Sequence, residues 1–140
     1  MKKIFNKLII VSLLISIIIP NTNTAYAKAK TKSIICLSIK GSTLTYADAT
    51  WTYELGLEDE NIVGKPKKHT VKFASKVSYS LLNTNKMKNY NVNKKKFIKA
   101  VKDADPQLAK DHGIKYYWGM AAQITISGNK VTKIQQLYQD

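Results

Sequence analysis

The sequence predicts an α+β domain that consists mainly of antiparallel β-structure, and three observations lead to this fold class. Apolar and polar residues alternate over several segments, most regularly in residues 69–82, as in a strand with one buried and one solvated face. One segment, around Phe97, shows instead the three- and four-residue spacing of an amphipathic helix. The Ser-Gly-Asn-Lys segment at 127–130 has the glycine and asparagine of a two-residue hairpin turn.

The first residues have the features of a secretory signal peptide. Three lysines precede an apolar run over residues 8–19, which Pro20 ends. A helix of that length spans roughly 18 Å, too short for roughly 30 Å of hydrocarbon. An Ala-Tyr-Ala segment at 25–27 follows and fits a cleavage site. We predict a signal peptide over residues 1–27, cleaved after Ala27, and a secreted, extracellular or cell-wall-associated protein without a stable membrane span.

The composition indicates the size, the net charge and the source of the predicted secreted chain. Cleavage after residue 27 of 140 leaves 113 residues, enough for one small domain. It also lowers the formal net charge from +14 to +11, because three lysines are removed. Cys36 is the only cysteine, so packing alone must stabilise the fold. The many lysines, asparagines and isoleucines, with no arginine, indicate an AT-rich genome and, with the signal peptide, a Gram-positive bacterium.

The first half of the predicted domain, which covers residues 33–140 after a disordered basic lead-in at 28–32, is assigned to three strands. The first covers residues 33–40, with Cys36 as a buried thiol in an apolar strand. The second covers residues 43–54, and a long loop follows over 55–68. The predicted apolar faces are Ile35, Leu37 and Ile39 in the first strand, and Val71, Phe73, Val77, Tyr79 and Leu81 in the third.

The second half is predicted to contain the helix and two further strands. Asn93 can cap a helix whose apolar face holds Phe97, Ile98 and Val101. Asp105 and Pro106 predict a second helical turn that ends at Gly113. The last two strands flank the 127–130 turn, and the fourth buries Met120, Ala122, Ile124 and Ile126. In the fifth, Val131 and Ile134 share a face only if a bulge intervenes.

The predicted order of strand, strand, strand, helix, strand, strand is the element order of an OB-fold. We therefore predict an OB-like five-stranded small barrel, or a strongly curved sheet, with one helix between strands 3 and 4. The C-terminal "ITISGNKVTKIQQLY", with "LTYADATW" far upstream and a single short helix between them, resembles a loose group of small secreted proteins of Gram-positive bacteria. The group has no assigned activity, so the resemblance implies export and no functional residues.

Catalytic and metal-binding residues are not predicted. His69 lies at a strand end, where it can act as a general base or remain an exposed polar residue, and His112 lies at a helix end. The acidic cluster of residues 58–60 cannot direct three adjacent carboxylates at one cation without other ligands. No serine lies in a G-x-S-x-G elbow. We predict no enzyme activity, no cofactor and no metal.

The lysine excess predicts a binding role. Basic grooves with aromatic platforms hold single-stranded nucleic acids or sugars on OB-folds. The candidate ligand-binding residues are Lys65, Lys67, Lys68, Lys72, Lys76, Trp51, Tyr53 and Trp118. We predict a binding module with electrostatic affinity for an anionic cell-wall polymer and non-specific affinity for nucleic acid.

Two other interpretations remain open. One is a secreted inhibitor or protein-partner module that uses Tyr116, Tyr117 and Trp118, with a partner that the sequence does not identify. In the other, the lysines serve solubility and the aromatic residues pack in the core.

Overall fold

The computed structural model describes residues 28–139, and the predicted signal peptide lies outside them. Within this range the chain forms eight strands, an α-helix and a short 3-10 helix. Their order is β1 (Lys30–Lys40), β2 (Thr43–Trp51), the 3-10 helix (Thr52–Leu55), β3 (Ile62–Asn83), β4 (Lys88–Val92), α1 (Lys94–Asp103), β5 (Gln107–Asp111), β6 (Ile114–Trp118), β7 (Met120–Ser127) and β8 (Lys130–Gln136). No helix among residues 28–139 combines the length and the apolar surface needed to span a bilayer.

Five of the strands pair in a closed circuit. β1 pairs antiparallel with β2 and β7, β7 pairs antiparallel with β8, β8 runs parallel to β3, and β3 pairs antiparallel with β2. β4 pairs antiparallel with the end of β3, and β6 of the β5–β6 hairpin pairs with β3 at Gly64. The predicted class, α+β and mainly antiparallel, is confirmed. The sheet has eight strands rather than five, and the helix follows β4.

β3 extends across the predicted loop because its first residues pair with β2. Ile62 lies opposite Trp51, so the loop predicted over residues 55–68 ends at Ile62. Ala47 lies opposite Lys68 and Ala49 opposite Gly64, so residues 65–67 form a bulge in β3. Pro66 suits this bulge because it has no N–H to donate to a neighbouring strand.

β1 also differs from its prediction, both in the residue at which it begins and in the side chains that face the core. It begins at Lys30, inside the predicted disordered lead-in, because Lys30–Lys32 pair with β7. A bulge at Leu37 reverses the alternation, so Ile34, Cys36 and Ile39 enter the core together. The prediction of a core cysteine is confirmed, and burial raises the pKa of the Cys36 thiol to about 12, which keeps it protonated and unreactive.

Residues 107–111 form a strand, and the predicted second helical turn is wrong. β5 pairs with β6 through a turn at His112 and Gly113, whose φ angles are 47° and 81°. Positive φ at both residues fits a tight hairpin, so His112 lies in a strand turn and not at a helix end. The hairpin covers the outer face of the ring, where Ile35 and Ala47 are fully buried.

α1 packs against the ring at the β1–β2 turn. The Asn93 side chain accepts a hydrogen bond from Lys96 N at 2.8 Å, which confirms the predicted cap. Phe97 and Val101 are buried, and the Phe97 ring centroid lies 5.6 Å from that of Tyr79. The Lys94 ammonium donates to the carbonyl of Gly41. The helix therefore belongs to the same core as the strands.

The C-terminal hairpin follows its prediction. Gly128 and Asn129 have φ angles of 56° and 65°, as the two-residue turn requires. Thr132 forms a bulge opposite β7, because Thr125 pairs with Lys133 and Ile126 with Val131. Val131 and Ile134 are therefore both fully buried. The predicted fourth-strand face holds for its three buried members, Met120, Ala122 and Ile124, and Ile126 is half-buried against them.

Candidate ligand-binding surface

The five predicted lysines all lie on β3 and all are exposed: Lys65, Lys67, Lys68, Lys72 and Lys76. The first two are in the 65–67 bulge, and the Lys68 ammonium lies 5.6 Å from the centre of the Tyr117 ring. With a rise of ~3.3 Å per residue, the set extends over as much as ~36 Å. It forms a line along one strand, and Lys65, Lys67 and Lys68 form its dense end.

The predicted aromatic residues meet at the beginning of β3. Trp51 and Tyr53 stack with ring centroids 6.0 Å apart and planes 14° apart. Trp51 and Trp118 line one cleft with Ile62 and Tyr138. The four aromatic side chains are exposed: Trp51 by 37%, Tyr53 by 54%, Trp118 by 36% and Tyr138 by 47%. We name this surface the aromatic cleft. Tyr138 was not predicted as a site residue, because the sequence analysis assigned it to the fifth strand, whereas the structure ends β8 at Gln136.

Strand pairing explains why the two indoles approach. Gly64 pairs with Ala49 of β2 on one side and with Tyr117 of β6 on the other. β2 and β6 thus flank β3, at roughly 10 Å from each other, and each ends in a tryptophan. Lys65 follows Gly64 directly, so the dense end of the lysine line begins beside the aromatic cleft. Lys72 lies opposite Thr43, at the other end of β2.

Thr52 positions the loop that borders the aromatic cleft. Its side chain is almost fully buried, and its hydroxyl donates to the Asp59 carbonyl and accepts from Asn61 N at 2.9 Å. The Thr52 and Asn61 backbones are also joined by a hydrogen bond of 2.9 Å. The acidic residues 58–60 are therefore presented at the surface, and Glu60 lines the cleft.

A second cluster, which the sequence did not predict, joins Lys32, Asp48, His69 and Tyr46. Lys32 Nζ lies 2.6 Å from Asp48 Oδ1, and His69 Nε2 lies 3.4 Å from Asp48 Oδ2. The Tyr46 and His69 rings stack at 5.4 Å. Lys32, Asp48 and His69 each lie two residues from a core position of the same strand, so they share the inner face of the ring and lie at its end away from α1. Tyr46 belongs to the buried core itself. A charge two residues beyond a buried strand position was the available signal.

The electrostatics of this cluster follow from its geometry. The hydrogen bond from Lys32 lowers the pKa of the Asp48 carboxyl, and desolvation opposes this shift. The same hydrogen bond raises the pKa of the Lys32 ammonium. Both side chains are about one-third exposed, so water screens the pair. The cluster joins three strands, and the Lys32 ammonium has its anion within the chain.

Asp48→Asn is expected to lower the free energy of unfolding at pH 7 by about 1 kcal/mol, because it leaves Lys32 and His69 without their carboxylate. Urea denaturation measures this loss. Asp103→Asn is the matched control, since it removes an exposed ion pair with Lys99 on α1 and should cost about 0.3–0.5 kcal/mol.

The pH dependence has a defined sign. A lowered folded-state pKa means that the Asp48 pair stabilises the protein above the unfolded pKa of about 3.9 and that this contribution is lost as pH falls through the folded pKa. Asp48→Asn should therefore reduce the loss of stability on acidification below about pH 4. An unchanged acid-unfolding profile would contradict the assignment.

Three of the remaining sequence candidates, Glu58, Asp59 and His112, line one pocket of about 320 Å³ together with Asp111. His112 is exposed and contacts Asp111, with Nδ1 2.7 Å from Oδ1. No group of three or more histidine, cysteine, aspartate and glutamate residues in this range is placed to hold a metal ion. Tyr116 and Tyr117 are half-buried, and Trp118 is the exposed member of that trio.

The comparisons with known proteins give no family assignment. No family model, no curated protein and no solved structure matches this chain. Any function must therefore be inferred from the residues and their geometry.

Proposed function

We propose that the protein is an exported binding module with electrostatic affinity for an anionic polymer of the cell surface, and that it is not an enzyme. The observation that carries this proposal is the dense end of the lysine line, Lys65, Lys67 and Lys68. These three residues lie within four consecutive positions and are exposed, and two of them lie in a bulge. Phosphate groups along a polymer attract such a cluster at long range.

The charge balance around β3 supports this proposal. Lys67, Lys72 and Lys76 form no ion pair with any of residues 28–139. α1 adds five lysines, Lys94, Lys95, Lys96, Lys99 and Lys102, of which only Lys99 has a carboxylate partner, Asp103. Unneutralised cations leave charge available to a polyanion. Lysine acts as a point charge without the bidentate fork of arginine, which favours a repeating phosphate polymer over one specific phosphate.

We also propose that the five-stranded circuit is an OB-like small barrel. The support is the pairing order β1–β2–β3–β8–β7 with a parallel β3–β8 pair, and a helix packed at one end. OB-folds are used for elongated polymers. Export is supported by residues 1–27 of the sequence, and the resemblance to small secreted Gram-positive proteins agrees with it.

Retention of the protein on purified cell wall tests the proposal. We expect strong retention at low salt and a loss of at least tenfold at roughly 0.5 M salt, where the Debye length is only a few ångström. The triple substitution of Lys65, Lys67 and Lys68 by glutamine should reduce low-salt retention by a similar factor.

The matched control replaces three exposed lysines elsewhere, Lys86, Lys88 and Lys110, by glutamine, and lowers the net charge equally. Retention that is insensitive to salt would disprove the electrostatic proposal. Equal losses in the two triple variants would show that net charge matters and that the β3 site does not.

The alternative, an inhibitor or protein-partner module at Tyr116, Tyr117 and Trp118, has narrower support. Trp118 is exposed, but Tyr117 packs beneath Lys68 and its Cβ lies against the Gly64 position. A single exposed indole gives less apolar area than a protein interface needs.

A further inference from the structure

We infer that the aromatic cleft is a second binding site, which takes an uncharged sugar ring of a polysaccharide. The cleft between Trp51, Trp118, Tyr138 and Ile62 is shallow and holds about 50 Å³, well below the roughly 300–1,000 Å³ of pockets that enclose a ligand. It therefore suits the face of one ring of a chain, laid on the exposed aromatic side chains, and not an enclosed ligand. The site differs from the lysine line in position, charge and ligand.

The aromatic faces are held in place before any ligand binds. One face of the Trp51 indole is stacked on Tyr53, which fixes its orientation. Trp51 is the last residue of β2 and pairs with Ile62 of β3. A fixed platform loses little entropy on binding, and it offers apolar surface to the flat C–H face of a pyranose.

Hydrogen bonds also fix the C-terminal residues 137–139 beside the cleft. Gln139 Oε1 accepts from Ala121 N at 2.8 Å, and its Nε2 donates to the Gly119 carbonyl at 3.0 Å. Leu137 N also donates to the Ala121 carbonyl at 2.9 Å. These bonds hold Tyr138 at the edge of the cleft, although Tyr138 belongs to no strand.

Two polar side chains at the rim are available for hydroxyl groups. Neither the Glu60 carboxylate nor the Asn61 amide makes a side-chain hydrogen bond within residues 28–139, and both line the cleft. A carboxylate accepts and an amide both donates and accepts. Together with the indole N–H groups, they match the alternating donors and acceptors of a sugar edge.

The negative charge at the cleft determines which ring-containing ligands can stack on its aromatic side chains. Glu60 lines the cleft and continues the acidic segment that includes Glu58 and Asp59. These carboxylates repel phosphates, so a nucleic acid or a phosphate polymer is disfavoured at the cleft although Lys65 is near. An uncharged sugar pays no such penalty, and its ring provides both the apolar face and the polar edge that the cleft complements.

Ligand-observed saturation-transfer NMR tests this site with the purified protein in 0.5 M sodium chloride, which suppresses binding through the lysines. The probes are tetramers of N-acetylglucosamine, glucose and mannose. We expect at least one to show saturable binding, with the strongest transfer to the C–H protons of one ring face. Trp51→Ala should weaken binding at least tenfold, and Asn61→Ala, which removes no apolar surface, should weaken it severalfold.

Tyr90→Ala is the matched control, because Tyr90 is an exposed aromatic residue on β4, away from the cleft. It should leave binding unchanged. The inference is overturned if none of the three tetramers binds, if choline saturates the cleft while the sugars do not, or if Tyr90→Ala weakens binding as much as Trp51→Ala. The lysine triple variant should bind the tetramers normally, so failure of one proposal leaves the other intact.

Discussion

Phe97→Ala is expected to lower the free energy of unfolding by about 3–5 kcal/mol, the usual cost of truncating a buried phenylalanine. Phe97 is the largest fully buried side chain among the described residues. Its ring packs on Tyr79, which in turn packs on Phe73 at 5.7 Å. Because these rings are held by β3, they cannot collapse into the space that alanine leaves. With a total stability of roughly 5–15 kcal/mol for a typical domain, the variant should be close to unfolding at 37 °C.

Urea denaturation followed by far-ultraviolet circular dichroism measures this effect. Ile98→Ala is the matched control, because Ile98 is the next residue on α1 and only half-buried; its loss should be about 1 kcal/mol. If Phe97→Ala cost no more than Ile98→Ala, α1 would not share the core of the strands. A single cooperative transition in the wild type is expected for the same reason.

Local signals were sufficient for the helix and the last hairpin. The Asn93 cap and the apolar spacing of α1 act within a few residues of each other, so they can be recognised without knowledge of the fold. The same holds for Gly128 and Asn129, whose positive φ angles few other residues adopt. Cys36 was predicted correctly as a core residue because either face of β1 is buried, in the main core or beneath the β5–β6 hairpin.

The features that the sequence did not predict depend on pairing between strands that are far apart in the chain. The bulges at Leu37 and at residues 65–67 depend on partners in β2, which a one-dimensional pattern does not show. Asp105, Pro106 and Gly113 are good helix signals, yet residues 107–111 pair with β6. In that case tertiary hydrogen bonding and coverage of Ile35 outweighed local propensity.

The candidate site was predictable in composition and not in arrangement. Lysines and tryptophans could be read from the sequence, but their positions depend on β2 and β6 lying on either side of Gly64. The strand pairing also divides the predicted ligand-binding residues into two groups. Trp51 and Trp118 line the aromatic cleft and Tyr53 stacks on Trp51. Lys72, in contrast, lies at the other end of β2, and Lys76 lies beyond it. One predicted surface is therefore two, with different charge and different proposed ligands.

Gly64→Ala is expected to lower the free energy of unfolding by about 1–3 kcal/mol, through overpacking. A Cβ at this position would lie 2.7 Å from Ala47 Cβ, 3.0 Å from Tyr117 Cβ and 3.3 Å from Ile35 Cβ. These atoms are bonded directly to the backbones of three strands, so no side-chain rotation relieves the contact and the strands must separate. Thermal unfolding should show a lower midpoint, by roughly 4–8 °C for each kcal/mol.

The same substitution should also alter the aromatic cleft, because β6 carries Trp118 and approaches β3 at Gly64. We expect a change in the near-ultraviolet circular dichroism of the tryptophans and a weaker interaction with the neutral sugar tetramers. Adding Ala47→Gly removes the shortest contact and should restore part of both properties. Gly41→Ala separates crowding from backbone strain: its φ is +58° and no atom lies within 4 Å of the new Cβ, so it should cost about 1–2 kcal/mol and leave the tryptophan signal unchanged. A Gly64→Ala protein with wild-type stability and an unchanged signal would mean that β6 does not pack on β3 in solution.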